Sequence, residues 1–245
     1  MGLETIDLND YPKVEVLGVN CTGLDHLPWK QIEERGIKVI SIQGDAQWLG
    51  VNITSTAEHT MGLILAISRN YKTALNEPYK DREEYKGHVL KDKELLIIGF
   101  GRVGKQIWDI AEAFKMKIWA LEKKGDVNIE YDQWISKADY ITLHIPLVGN
   151  EGFFTKEMFK QMKPTAYLIN TSRDAIIEKG ALIWALENRV IAGAAIDFID
   201  DPELVHYARD HTNLVLTNHI AGATWEDQAK TEKRIQTKVE EYLKQ

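Results

Sequence analysis

The chain alternates short apolar runs with segments of helical period. Residues 14–19 (VEVLGV) and 37–42 (IKVISI) have the length and β-branched content of buried strands. Between them, residues 27–35 read as a helix, with Gly36 suited to ending it. A β-α-β run of this kind favours a parallel pair. Residues 43–52 look like a polar loop. Thr54 or Ser55 is then placed to cap a long helix over 56–71. Its apolar positions Met61, Leu63, Ile64, Leu65 and Ile67 cover most of its circumference, so it is expected to be buried between two structural units.

From residue 95 the alternation becomes regular. Strands are predicted at 95–98, 117–121, 140–143, 166–169, 191–196 and 214–216. Helices are predicted from 102 and over 131–136, 156–162, 178–187 and 225–244. Such alternation builds an α/β fold, a doubly wound parallel sheet of the Rossmann type with helices on both faces. Residues 71–225 are expected to form this dinucleotide-binding domain. Residues 1–70 with 226–245 are expected to form a second, truncated, flavodoxin-like substrate domain.

Composition adds exclusions. The net charge of −7 over 245 residues argues against a nucleic-acid partner, which wants a basic face. The longest apolar stretch, residues 61–68, is too short to span a bilayer, so no membrane partner is expected. The opening MGLETIDLNDYP lacks the basic end and apolar centre of a signal peptide. A single cysteine, Cys21, suits a reducing compartment, and a cytoplasmic location is expected.

The chemistry begins at Gly99-Phe-Gly101-Arg102-Val103-Gly104, which follows a strand and opens a helix. Gly99 permits a tight turn, Gly101 lets backbone approach a pyrophosphate, and Gly104 lets helix pack on strand. By itself the spacing is a weak signal, and a plain strand–turn–helix junction is the alternative, but the motif sits in the local structure that a dinucleotide site needs. Glu122, at the end of the next strand, would accept the ribose hydroxyls of NAD and repel a 2′-phosphate. Lys123 and Lys124 follow directly and would attract one, which leaves NADP open beside NAD.

Five further segments come in order: Asp139-Tyr-Ile-Thr-Leu-His144-Ile-Pro146-Leu, Phe159-Lys-Gln-Met162-Lys-Pro164, Leu168-Ile-Asn170-Thr171-Ser172-Arg173-Asp, Ala192-Gly-Ala-Ala-Ile-Asp197, and Asn218-His219-Ile-Ala-Gly-Ala-Thr224. With Ala57-Glu58-His59 at the head of the long helix, this series resembles the D-isomer-specific 2-hydroxyacid dehydrogenases. The resemblance runs from about residue 14 to the C-terminus. It implies hydride transfer between NAD(H) and a small D-2-hydroxy or 2-keto acid. By the same match Arg173 binds the substrate carboxylate and carbonyl, and His219 is the general acid. A guanidinium grips a carboxylate by two parallel bonds, and an imidazole exchanges protons near neutrality. The resemblance also implies that Asp197 lies near the nicotinamide carboxamide, that Thr171 and Pro146 line the cofactor pocket with His144 close by, and that Asn20, Cys21 and Thr22 belong to the loop holding the substrate carboxylate. The other histidines, His59 included, read as structural. A homodimer formed through the cofactor domain and the long helix is implied as well.

Three departures stand against the pattern, the least of them Asn218, where the family often has proline. The family's glutamate that pairs with the histidine falls on Pro202. Asp201 takes the role if one residue is deleted, and Glu203 is the other candidate. Family members also carry a further β-α-β portion ahead of the segment matching residues 14–19. A shortened piece, a naturally short protein and a chain covered by a partner all fit that difference, and the loop at 43–52 offers a partial patch through Trp48 and Leu49. The competing reading is a non-catalytic NAD-binding sensor or degenerate enzyme on the same fold. An amino-acid dehydrogenase is disfavoured, because no suitably placed lysine pair is present.

Overall fold

The computed structural model describes residues 6–24, 26–77, 81–122, 131–198 and 201–244. The chain divides into two compact units, residues 1–55 with 222–245, and residues 56–221.

In the first unit, β1 (Val16–Val19) and β2 (Lys38–Ser41) pair in parallel around α1 (Trp29–Glu34). Gly36 ends the α1 turn with φ +65°, as its position suggested. One face of the pair is covered by a cluster of Leu8, Val19, Leu27, Ile32 and Ile37. The segment ahead of β1 is tied down there: Arg35 donates to the carbonyls of Leu8 (2.6 Å) and Tyr11 (2.8 Å). The other face takes α10 (Trp225–Leu243); a Cβ on Gly18 would lie 3.1 Å from Val239. Residues 43–52, expected as a polar loop, instead contain α2 (Ala46–Asn52). Its Leu49 is buried with Ile42, Ile53 and Ile235, and Asp45 before it pairs with Arg234 (2.8 Å) and Lys238 (3.0 Å). Seven residues, about two turns, are too few for a helical period to stand out from a loop.

The second unit starts in α3 (Ser55–Ser68), followed by α4 (Tyr71–Asn76). A six-stranded parallel sheet then forms from β3 (Glu94–Ile98), β4 (Lys117–Leu121), β5 (Tyr140–Leu143), β6 (Tyr167–Asn170), β7 (Gly193–Ile196) and β8 (Leu214–Leu216), in the order β4-β3-β5-β6-β7-β8. The helices α5 (Arg102–Ala113), α6 (Tyr131–Ile135), α7 (Lys156–Gln161), α8 (Ala181–Glu187) and α9 (Pro202–Asp210) complete it. The two-residue period of each strand sorts the core. Leu96, Ile98, Ile141 and Leu143 face Phe159, Leu182 and Leu204, while Leu95, Ile97 and Tyr140 face Ile64, Ile67 and Ile107.

The long helix therefore differs from expectation. The sequence groups it with residues 1–70, whereas its residues Ala57, Met61, Leu63, Ile64 and Ile67 pack into the core of the second unit, and the division falls after Ser55. Its cap also differs. The backbone N–H groups of Thr54 and Ser55 both donate to the Asp227 carboxylate at 3.0 Å, so the acceptor comes from α10. Helix α9 was not anticipated.

Candidate active site

All six strands of the large sheet run in one direction, so the segments after β3, β5, β6, β7 and β8 emerge at one carboxyl edge. The chain reverses its order of addition between β3 and β5. Ligands of open α/β sheets bind at that kind of switch point.

Gly99 leaves β3 with φ +103°, a region closed to most side chains, and a Cβ there would sit 2.5 Å from the His144 carbonyl. A Cβ on Gly104 would lie 2.2 Å from the Gly99 oxygen, so only glycine lets α5 approach. Gly101, the N-cap of α5, is different: it is exposed, no side chain caps the helix there, and an added Cβ would meet nothing. The turn thus presents a helix N-terminus, with its positive end, to open space. This suits a pyrophosphate. Arg102 and Val103 form the first turn of α5, and Glu122 follows β4 as an exposed carboxylate. Lys123 and Lys124, the residues that would favour a 2′-phosphate, lie outside the described residues. At the end of β5, desolvation pushes the His144 imidazole down to about 3, and its Nε2 lies 2.6 Å from the Thr142 hydroxyl. The carbonyl of the exposed Pro146 accepts from the Asn150 amide at 2.8 Å.

Arg173 follows β6 on a tightly held turn. The Asn170 side chain donates to the Arg173 carbonyl (2.7 Å) and accepts from Ser172 N–H (2.9 Å), and the Ser172 hydroxyl donates to the Leu143 carbonyl (2.7 Å). Thr171 is buried, its hydroxyl 2.9 Å from that of Thr60.

His219 follows β8 in the left-handed region, with φ +54°. That conformation costs a residue with a side chain about 1–2 kcal/mol and persists only where surroundings impose it. Asp197, fully buried at the end of β7, imposes it. Its Oδ1 accepts from the Thr217 hydroxyl (2.6 Å) and Ile220 N–H (2.9 Å), and its Oδ2 accepts from Ala221 N–H (2.8 Å). His59 Nε2 lies 3.5 Å from the same Oδ1 and 3.2 Å from the Thr217 hydroxyl. Burial alone would raise the Asp197 pKa, but bonds from His59, Thr217, Ile220 and Ala221 outweigh it and hold the group ionised, below its usual value. Phe198 packs edge-on against the His219 ring at 5.3 Å. Residues from β7 and β8 are thereby brought together around His219.

Asp201 has another task than the one expected of it. Its carboxylate accepts from Glu203 N–H (2.8 Å) and caps α9, with Pro202 at the first helical position. Among the described residues, His219 makes no ion pair or hydrogen bond with Asp201, Glu203 or another carboxylate. An aspartate directly before a proline and a glutamate is a strong helix start, and that local role has taken the side chain. Asn20, Cys21 and Thr22 lie after β1 in the first unit, where the Cys21 thiol donates to the Gly23 carbonyl at 3.2 Å. Sequence reasoning set His59 aside as structural and gave Thr217 no role; the only available signal was the Ala57-Glu58-His59 run.

Residues 61–221 match the profile of the D-isomer specific 2-hydroxyacid dehydrogenase, NAD binding domain. The chain belongs to the D-isomer-specific 2-hydroxyacid dehydrogenase family. It is 32% identical over 242 residues to glyoxylate reductase of Thermococcus litoralis, covering 89% of this chain and 71% of the relative. It is 31% identical over 251 residues to D-3-phosphoglycerate dehydrogenase of Bacillus subtilis, covering 96% of this chain but 46% of the relative. The chain thus spans under half the length of the phosphoglycerate dehydrogenases it matches. Among solved structures it is similar to NAD-dependent formate dehydrogenase from Staphylococcus aureus in complex with NAD, with a TM-score of 0.79, 26% identity, and coverage of 96% of this chain and 74% of that one. The glycine turn and the family domain agree on NAD as cofactor. Among the described residues, no group of three His, Cys, Asp or Glu side chains is disposed to hold a metal ion, and no helix is long and apolar enough to cross a membrane.

Proposed function

We propose that this protein is an oxidoreductase acting on a small D-2-hydroxy or 2-keto acid, with Arg173 binding the acid and His219 exchanging the proton. The observation that carries this reading is the loop built by Asp197, which holds an imidazole in a strained backbone conformation at the sheet's carboxyl edge. Strain of this kind is retained where geometry matters for chemistry. NAD, held by the 99–104 turn and Glu122, would supply or accept the hydride. Arg173 would fix the carboxylate by a bidentate pair and polarise the adjacent carbonyl. His219 would give a proton to the carbonyl oxygen on reduction and take it back from the hydroxyl on oxidation. Thr171, His144 and Pro146 are proposed to line the cofactor pocket. NADH oxidation with a panel of 2-keto acids, glyoxylate included, tests the proposal; turnover with at least one acid is expected, and its loss in Arg173→Ala should come with a raised KM.

A second reading, a non-catalytic NAD-binding protein, is favoured by one observation. Asp201 caps a helix, and His219 has no carboxylate partner among the described residues. NADH binding without turnover of any acid would support it.

We also propose a cytoplasmic homodimer. Its support is an apolar groove of about 440 Å³ on the second unit, where α3, α4 and α9 supply Ala66, Leu75 and Val205 and where Leu75 is 80% exposed. Sedimentation should give twice 28.0 kDa.

A further inference from the structure

Two adjacent residues of α3 touch the two arms of the proposed site. On one side, the Thr60 hydroxyl donates its single proton to the Thr56 carbonyl at 2.7 Å. The 2.9 Å contact between Thr60 and Thr171 must therefore be donated by Thr171. Thr171 stands two residues before Arg173. On the other side, the Thr217 hydroxyl gives its proton to the ionised Asp197 at 2.6 Å, far closer than its 3.5 Å approach to the Ile196 carbonyl. Its oxygen is left to accept, and so is Asp197 Oδ1. His59 Nε2 faces both, at 3.2 and 3.5 Å, so the proton of this ring belongs on Nε2. Thr217 stands two residues before His219.

The helix bearing this pair is a firm reference. Ala57, Thr60 and Ile64 are fully buried, and Met61 nearly so, all on the sheet side of α3. His59 itself is only 20% exposed at its side chain, against a carboxylate that is 0% exposed.

We propose that His59 and Thr60 are positioning residues, each setting one arm of the site: Thr60 fixes the Arg173 turn through Thr171, and His59 fixes the His219 loop through Thr217 and Asp197. This rests on the dehydrogenase reading only for its kinetic consequences. The two arms have different duties, so the two residues have separable effects. Loosening the His219 loop misplaces a proton donor and lowers kcat. Loosening the Arg173 turn weakens the hold on the acid and raises KM. Misplacement by about 1 Å costs up to about 100-fold in rate.

The test compares His59→Ala, His59→Gln and Thr60→Val in the full chain, with melting temperature, NADH affinity, steady-state kinetics on a turned-over 2-keto acid, and the amide NMR signals of residues 171–173 and 217–221. His59→Ala should lower kcat by about 10–100-fold with KM little changed and should move the 217–221 signals only. His59→Gln, whose amide N–H can reach the same two oxygens, should recover most of the rate. Thr60→Val should raise KM for the acid several-fold and move the 171–173 signals only. Equal kinetics and unmoved site signals in His59→Ala and Thr60→Val, with only a lower melting temperature, would overturn the proposal and leave a packing role. If no acid is turned over by the wild-type chain, the dehydrogenase reading fails. The NMR comparison still decides the positioning roles.

Discussion

Replacing Asp197 by alanine takes the buried acceptor away from three close donors at once. The Ala221 N–H loses its acceptor in the interior, where Ala221 is 4% exposed, whereas the part-buried Thr217 hydroxyl keeps the Ile196 carbonyl at 3.5 Å as an alternative. Ile220 is 47% exposed, and its N–H can turn to water. A stranded buried donor costs about 1–3 kcal/mol, so the loss is about 1–3 kcal/mol before any relief of the strain at His219. Stabilities are about 5–15 kcal/mol, so the variant should be weakened yet foldable. Each kcal/mol moves Tm by about 2–4 °C at this size, which gives a drop of about 2–12 °C. Asp197→Asn keeps one acceptor oxygen but turns an amide toward N–H groups, and should fall between. Differential scanning fluorimetry with urea unfolding measures both. An Asp197→Ala protein within about 0.5 kcal/mol of wild type, the ordinary range for a surface change, would refute the assignment of Asp197 as the anchor of the loop. The sign with pH follows from the depressed pKa of the group. Its contribution is complete above the unfolded aspartate value of about 3.9 and is lost as pH falls through the lower folded value. The Asp197→Ala deficit should therefore shrink only in acid below about pH 4.

Other consequences are open to direct measurement. Gly101→Ala should fold with an unchanged Tm but lose NADH affinity, because its Cβ meets only the space a pyrophosphate would take, whereas Gly104→Ala should lose stability and binding together. His144, with its pKa pushed to about 3, should stay neutral in NMR titrations down to about pH 4; since the unfolded ring protonates near 6.5, stability should decline as pH falls from there toward 3. Asp227→Ala should remove the acceptor of Thr54 and Ser55 N–H and destabilise by about 1–3 kcal/mol in chemical unfolding, and Asp227→Asn by less.

The strands of the large sheet were legible because both-face burial leaves continuous apolar runs such as Leu95–Ile98, and the glycine turn because Gly99 and Gly104 answer to local backbone geometry. Arg173 and His219 are proposed from motif order alone. What escaped depends on contacts distant in sequence. The α3 cap is an aspartate from α10, and no local pattern announces a partner 172 residues away. The His59 contact with Asp197 joins α3 to the end of β7, and a lone histidine on an apolar helix gave no reason to look there. Asp201 was misread for the opposite cause. A motif deleted by one residue suggested a catalytic role, while the local sequence Asp-Pro-Glu spelled a helix start, and in the structure the local role is the one it plays. Helices α2 and α9 are short, and so few turns leave little of a period to read.

The central claim is that His219 donates the proton to a 2-keto acid beside bound NADH. Single-turnover oxidation of NADH by a 2-keto acid that the wild type reduces, compared with His219→Asn at matched NADH occupancy, tests it most directly. The account predicts unchanged NADH affinity and a rate lowered by about 10²–10⁴-fold, the usual contribution of a general acid. An asparagine variant that reduces the acid at the wild-type rate would contradict it.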